Sequence, residues 1–179
     1  MAVSARRHLL AVVLLPGIVA VAVPGAIVWS TGAVSVGWGL PSGLALLPVL
    51  LGAGLIALGL ALVTWTIVLF AVVGRGTLAP WDPTSALVVR GPYRHVRNPM
   101  ITGVVVLLAG EATLLGSPAL AAWCAAVLCA NAVYMPLVEE PGLVRRFGEA
   151  YDVYRANVPR WVPRLRPWHP ANGQATSRA

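Results

Sequence analysis

Apolar residues run along this chain in long unbroken blocks, without the polar interruptions of soluble helices and strands. They cover about residues 9–29, 43–73, 99–116 and 119–138. A helix needs roughly 20 apolar residues to cross a bilayer. The pattern therefore predicts an all-α, polytopic protein with about four transmembrane helices in a single membrane domain over 1–179. Pro16 and Pro24 fall in the first block and are tolerated in membrane helices. The second block is long enough to tilt or to project beyond the bilayer. Gly116-Ser117-Pro118 leaves so short a link that the third and fourth spans must form an antiparallel hairpin. After residue 138 the pattern changes. Leu143, Phe147, Tyr151, Tyr154 and Val158 follow one another at helical spacing, with Arg145, Arg146, Glu149, Asp152 and Arg155 between them. This predicts a C-terminal amphipathic interfacial helix within 139–163, lying on the inner leaflet and stopped by Pro159 and Pro163. Residues 164–179 are expected to be flexible.

Composition agrees with the pattern. Of 179 residues, 58% are hydrophobic and 11% charged, against about 25% charged in soluble domains. That excludes a soluble globular enzyme, a disordered tail and a nucleic-acid-binding module. Residues 8–74 contain no Asp, Glu, Lys or Arg, and residues 98–138 contain only Glu111. All 13 basic residues are arginine, against 6 acidic ones. They precede the first span, lie between the second and third, or follow the fourth, whereas the links 30–42 and 116–118 have none. Arginine asymmetry of this kind sets topology. It places both termini and the 74–98 loop in the cytoplasm, in the cell (inner) membrane. The first block is too long for a signal-peptide core and is read as a retained span. Cys124 and Cys129, five positions apart, do not share a helix face and are read as packing residues. No metal site is indicated.

Functional polarity is compressed into two segments of the same membrane face. One runs from Gly74 through Arg97 and Asn98 to Pro99; the other starts at Glu139-Glu140. Irregular backbone beside a bilayer is tolerated where it lines a cavity or is packed by protein, so a cytoplasmic cofactor loop is expected here. Several residues have two readings. Asn98-Pro99 is a good helix start, Asn as N-cap and Pro at the first position, and equally a place where helix amides attract a carboxylate. Gly74 and Gly76 either cap a span or allow close approach to a cofactor. Glu139 and Glu140 form a surface ion-paired feature, bind a cofactor, or orient a loop arginine. His95 is a solvated loop residue or a base. Glu111, five residues before the arginine-free turn, either snorkels or pairs within the hairpin.

The run Ser85-Ala86-Leu87-Val88-Val89-Arg90-Gly91-Pro92-Tyr93, followed by Arg97-Asn98-Pro99-Met100, resembles the corresponding region of isoprenylcysteine carboxyl methyltransferases. Glu139-Glu140, Phe147-Gly148-Glu149-Ala150-Tyr151, Tyr154 and Val158-Pro159-Arg160 are similar to the tail of the same superfamily, which includes phospholipid methyltransferases. The likeness covers 74 to about 163. It implies an integral membrane methyltransferase using S-adenosylmethionine in a cytoplasm-facing pocket, with a lipid-like or isoprenoid acceptor entering from the bilayer. Carried over by position, Gly74, Gly76, Ser85, Ala86, Leu87, Val88, Tyr93, Asn98, Pro99, Met100, Ile101, Glu139 and Glu140 are cofactor-binding candidates. Glu139, Glu140, Arg97 and His95 are catalytic candidates. Two departures stand out: Asn98 and Ile101 replace the histidine and tyrosine common in the family, and no arginine shortly precedes Glu139. The partners implied are membrane lipids and a lipophilic acceptor, with no nucleic acid and no obligate protein partner. The alternatives are an NADPH-dependent membrane reductase of the related sterol-reductase type and a non-catalytic membrane scaffold.

Overall fold

The structure, a computed structural model, describes residues 13–74 and 86–170. Among the described residues there are helices and turns and no strand. A π-helical stretch, Val13–Ala22, runs into α1, Val23–Thr31. Pro16 lies inside that stretch, where its missing N–H breaks the regular ladder. Gly32, with φ 58°, ends α1. A 3-10 turn, Val36–Gly39, leads to α2, Ser42–Leu69, which continues through a π-helical turn, Phe70–Gly74. A second 3-10 turn, Gly91–Arg94, precedes α3, Pro99–Leu115. Gly116, with φ 56°, turns the chain towards α4, Pro118–Tyr134. The π-helical turn Met135–Glu139 then joins α5, Glu140–Phe147, and α6, Glu149–Asn157, follows.

Pro16–Gly39, Ser42–Val73 and Pro118–Phe147 are long and apolar enough to cross a membrane, and Pro99–Leu115 is a shorter apolar helix. At 17 residues, α3 rises ~26 Å, just short of the ~30 Å hydrocarbon core. It is also the inner helix: Gly103, Val104, Leu107, Leu108, Gly110 and Ala112 are all buried. Its neighbours turn Leu47, Leu50, Val72, Val133 and Leu137 outward, the surface expected against lipid.

Burial does not drive one apolar helix against another in lipid, so close backbone packing has to hold the pair. Gly52 and Gly59 on α2, and Gly103 and Gly110 on α3, repeat at seven residues and form the antiparallel seam. A Cβ added at Gly59 would stand 2.7 Å from the Gly103 carbonyl oxygen; one at Gly110 would stand 2.7 Å from the Ile56 nitrogen. At Gly52 it would meet the Leu114 nitrogen at 2.6 Å, whereas Gly54 faces open space. Val63, Val104, Leu108 and Val127 then close the core, with Trp123 and Cys124 packed on it. Trp123 Nε1 donates to the Val19 carbonyl at 3.0 Å, tying α4 to the first helix.

The amphipathic stretch after residue 139 is present, but in two pieces. Gly148 adopts φ 52°, ψ −133°, a conformation open to glycine, and splits the expected single helix into α5 and α6. Its apolar stripe is covered by protein: Tyr151, Tyr154 and Val158 are buried against Leu87, Val89, Leu143, Phe147 and Trp168. The expectation of a flexible segment from residue 164 is corrected for its first part. Arg164 N donates to the His95 carbonyl at 3.0 Å and Trp168 N to the Arg94 carbonyl at 2.9 Å, because the prolines leave an extended strap with free amides. Residues 171–179 lie outside the described residues.

Candidate active site

The antiparallel order of α2, α3 and α4 brings the 86–98 segment and the segment after residue 139 to one end of the bundle. Glu140, 6% exposed, is the centre of the contact. Arg97 Nη1 donates to its Oε1 at 2.9 Å. Arg160 holds both oxygens, Nε to Oε1 at 2.6 Å and Nη2 to Oε2 at 2.8 Å. Paired, two-pronged contacts of this type fix orientation as well as charge. The hydrogen bonds to Glu140 hold the Arg160 guanidinium above its usual pKa. Three readings of this carboxylate come from the sequence, and the geometry pairs Glu140 with the loop arginine Arg97 and with Arg160. Glu139, one residue earlier in the π-helical turn, makes no hydrogen bond or ion pair among the described residues.

A buried tyrosine layer backs this cluster. Tyr93 stacks on Phe70 with ring centroids 5.4 Å apart, and its carbonyl accepts the Tyr154 hydroxyl at 2.7 Å. Burial pushes the phenols of Tyr93, Tyr151 and Tyr154 up from their ordinary pKa, so all three are neutral at physiological pH. They form an apolar wall, in which the Tyr154 hydroxyl is a hydrogen-bond donor. Leu87 and Val89 pack on Tyr151 and Tyr154, Val88 is buried, and Ala86 is half-buried. Gly74 ends the turn after α2. Gly76 and Ser85 lie outside the described residues.

The start of α3 differs from the expected cap. Pro99 occupies the first turn as predicted, yet the Asn98 side chain makes no capping bond. Asn98 Nδ2 is buried with no partner among the described residues, and so is Arg97 Nε. The first amides of a helix also lack intrahelical acceptors, and Met100 and Ile101, both half-buried, supply them here. Buried unpartnered donors are costly, and this end of α3 gathers several of them. Glu111 sits apart. It is twelve residues along α3 from Pro99, ~18 Å up the axis.

Two cavities open at this end. One, of about 390 Å³, lies between Leu62 and Trp65 of α2 and Pro99 and Thr102 of α3, with Arg94, His95, Pro163 and Pro167 completing its wall. The other, also about 390 Å³, borders Glu140 between Pro136, Val144, Arg145 and Arg155. Volumes of this order suit small-molecule sites. Sequence reasoning missed the strap that walls the first cavity, and missed Arg160 as the main partner of Glu140. A proline-spaced run carries no periodicity to read. The one signal was scarcity: with so few acidic residues, a buried glutamate has to find an arginine.

A bundle of apolar helices whose charged side chains, Glu111 apart, gather at one end among the described residues defines an integral membrane protein. Residues 47–150, more than half of the chain, match the profile of the phospholipid methyltransferase family, and the chain belongs to that family of membrane methyltransferases. No curated protein and no solved structure matches it.

Proposed function

We propose that this protein transfers a methyl group from S-adenosylmethionine to a lipid-like acceptor whose head group lies at the cytoplasmic face of the inner membrane. The observation that carries the reading is the buried, unpartnered pair Arg97 Nε and Asn98 Nδ2 at the start of α3, in a chain of a methyltransferase family. When bound, S-adenosylmethionine supplies an already activated sulfonium methyl. The protein has to orient and exclude water. Arg97, Asn98 and the amides of Met100 and Ile101 receive the donor's carboxylate. Ala86, Leu87, Val88, Tyr93 and Pro99 form the apolar wall, and Glu139, unpaired among the described residues, is the carboxylate offered to the donor's ammonium or ribose. Glu140 is a positioning residue that fixes Arg97. The arginine distribution supports the cytoplasmic orientation, and the outward leucine and valine surface of α2 and α4 supports entry of the acceptor from the bilayer.

Calorimetric titration of the detergent-purified protein with S-adenosylhomocysteine tests this. Saturable binding is expected for the wild type and a loss of at least tenfold in affinity for Asn98→Leu. Folded wild-type protein that binds nothing at millimolar ligand overturns the reading. The match to a methyltransferase family gives no support to the reductase or scaffold alternatives. A parallel titration with NADPH is expected to show no binding.

A further inference from the structure

The apolar stripe of α5 and α6 is spent on protein, against Leu87, Val89 and Trp168. The strap that follows is built the other way round. Beyond residue 138, the large apolar side chains turned outward are Val162, 76% exposed, and Leu165, 97% exposed. A lone exposed leucine needs no explanation, but this one is held out by design of the backbone. Arg164 N and Trp168 N donate to the carbonyls of His95 and Arg94 on either side of it, and the Arg94 and His95 side chains bond the carbonyls of Trp168 and Arg164 in return. Arg164 and Arg166 flank Leu165, and residues 159–170 contain no acidic residue. Among the described residues no carboxylate pairs with either arginine; Arg164 Nη1 meets only the neutral Asn157 carbonyl, at 2.7 Å. The level of the strap along the bundle is fixed as well. Its Pro163 and Pro167 share a cavity with Leu62 and Trp65 of α2. From Ser42 to Trp65, α2 climbs ~35 Å at ~1.5 Å per residue, against a hydrocarbon core of ~30 Å. The strap therefore crosses α2 at head-group level, beside an exposed tryptophan of the kind that gathers there.

We propose that the strap is a docking surface for anionic phospholipids of the adjoining leaflet: Val162 and Leu165 enter the interfacial layer, and Arg164 and Arg166 pair with head groups of net negative charge. This stands apart from the methyltransferase reading and holds whatever donor the protein binds. Two aliphatic side chains give only weak, reversible partition into an interface. Arginines beside an anionic surface add an attraction that fades within a Debye length, so the contact follows the charge of the leaflet. Arg160 is not part of it, since both oxygens of Glu140 already hold its guanidinium. The strap thus has two faces. Its backbone and prolines close the protein cavity, and its leucine, valine and free arginine charges meet the lipid.

Water access to position 165 in the full chain, reconstituted in lipid nanodiscs, tests this. Cys124 and Cys129 are replaced by alanine, and a single cysteine is introduced by Leu165→Cys or, as a control on the exposed start of α6, by Glu149→Cys. Its reaction with a cationic thiosulfonate is timed; an anionic surface concentrates that reagent, so slow reaction reports cover by lipid. In equimolar phosphatidylcholine and phosphatidylglycerol, position 165 is expected to react about tenfold more slowly than position 149, or slower still. In phosphatidylcholine alone that protection is expected to shrink to about threefold or less, and Arg164→Gln with Arg166→Gln brings the mixed-lipid rate to the same value. Arg166→Gln alone, an exposed change, is expected to go part of the way. Size-exclusion profiles matching the wild type show that each variant is folded. Equal rates at 165 and 149 in the mixed discs, as two side chains in water give, overturn the proposal. Equal protection in both lipids overturns it too, because protein and not leaflet charge then covers the strap. Wild-type protection in Arg166→Gln, with loss only in the double variant, traces the effect to the Arg164–Asn157 bond and overturns the charge attraction.

Discussion

The two ends of α3 are built from the same kind of chain and are treated in opposite ways. At its C-terminus the orphan carbonyls that every helix leaves are met by the chain itself. Ser35 N donates to Leu115 at 2.8 Å, Trp38 Nε1 to Thr113 at 2.9 Å, and Gly116 packs directly on the Ser35 carbonyl. At the N-terminus the corresponding donors stay open, with Asn98 Nδ2 and Arg97 Nε buried beside them. One end is closed by neutral hydrogen bonds. The other is held by arginine–carboxylate contacts around cavities and keeps unused hydrogen-bonding capacity. The closed end is not free of unpaired polar atoms, since Ser117 Oγ and Glu111 Oε2 are buried without a partner among the described residues. The unpaired atoms of the open end, however, are donors of an arginine and an asparagine beside charged side chains.

That contrast depends on the α2–α3 seam holding both ends in register, and breaking the seam has the largest expected effect. Gly59→Leu drives a side chain into the Gly103 carbonyl and the Leu107 backbone, where even a Cβ has only 2.7 Å. Backbone on both sides leaves no flexible group to yield, so the protein is expected to give no monodisperse folded species in detergent, by size-exclusion chromatography. Gly54→Leu, on the same helix but facing open space, is expected to behave as the wild type. Equal behaviour of the two variants would show that close approach is not what joins the helices.

Next in size is the open end. Glu140→Gln removes the charge that two guanidinium groups share and leaves them facing each other at the edge of the buried site. Removing one partner of a buried pair typically costs about 3–5 kcal/mol. Arg160 is 30% exposed on its side chain, so the lower part of that range applies. The apparent Tm is expected to drop by roughly 6–12 °C, at about 2–4 °C per kcal/mol for a chain of this size. S-adenosylhomocysteine affinity is expected to fall with it, since Arg97 loses its anchor. Destabilisation with unchanged affinity would confine Glu140 to a structural role.

Much of this architecture is legible in the sequence because a bilayer leaves few choices. Uninterrupted apolar blocks become helices, and the described ends of α2, α3 and α4 fall within a few residues of those the hydrophobic blocks predict. Arginine placement groups the segments that do meet. What the pattern does not encode is how polar groups pair once the chain is folded. Asn98-Pro99 reads as a cap, and it starts a helix, yet its side chain is withheld from capping. Phe147-Gly148-Glu149 reads as helix because the apolar spacing passes straight through it, and a single positive φ at Gly148 breaks it. Residues 164–168 read as flexible because proline spacing carries no period, while the amides of Arg164 and Trp168 donate to the carbonyls of His95 and Arg94. The seven-residue glycine spacing that carries the seam is not read from the hydrophobic pattern, because small residues inside an apolar block leave that block unbroken.

The smallest expected effect is at the closed end, and it sharpens the comparison most. Trp38→Phe keeps an aromatic ring at the membrane boundary and deletes one donor, Nε1, leaving the Thr113 carbonyl without its 2.9 Å partner. Thr113 is among the last four residues of α3, so no amide further along the helix replaces it. Trp38 is 45% exposed, so water and head groups recover part of the loss, and a net cost of about 0.5–1 kcal/mol follows for one neutral hydrogen bond. The backbone at Trp38 has φ 59°, a strain that phenylalanine shares, so it cancels from the comparison. An apparent Tm lower by roughly 1–4 °C is expected, with S-adenosylhomocysteine affinity unchanged within error. If ligand affinity instead falls in parallel with stability, the two ends of α3 are coupled through the helix, and the closed end does more than hold the bundle together.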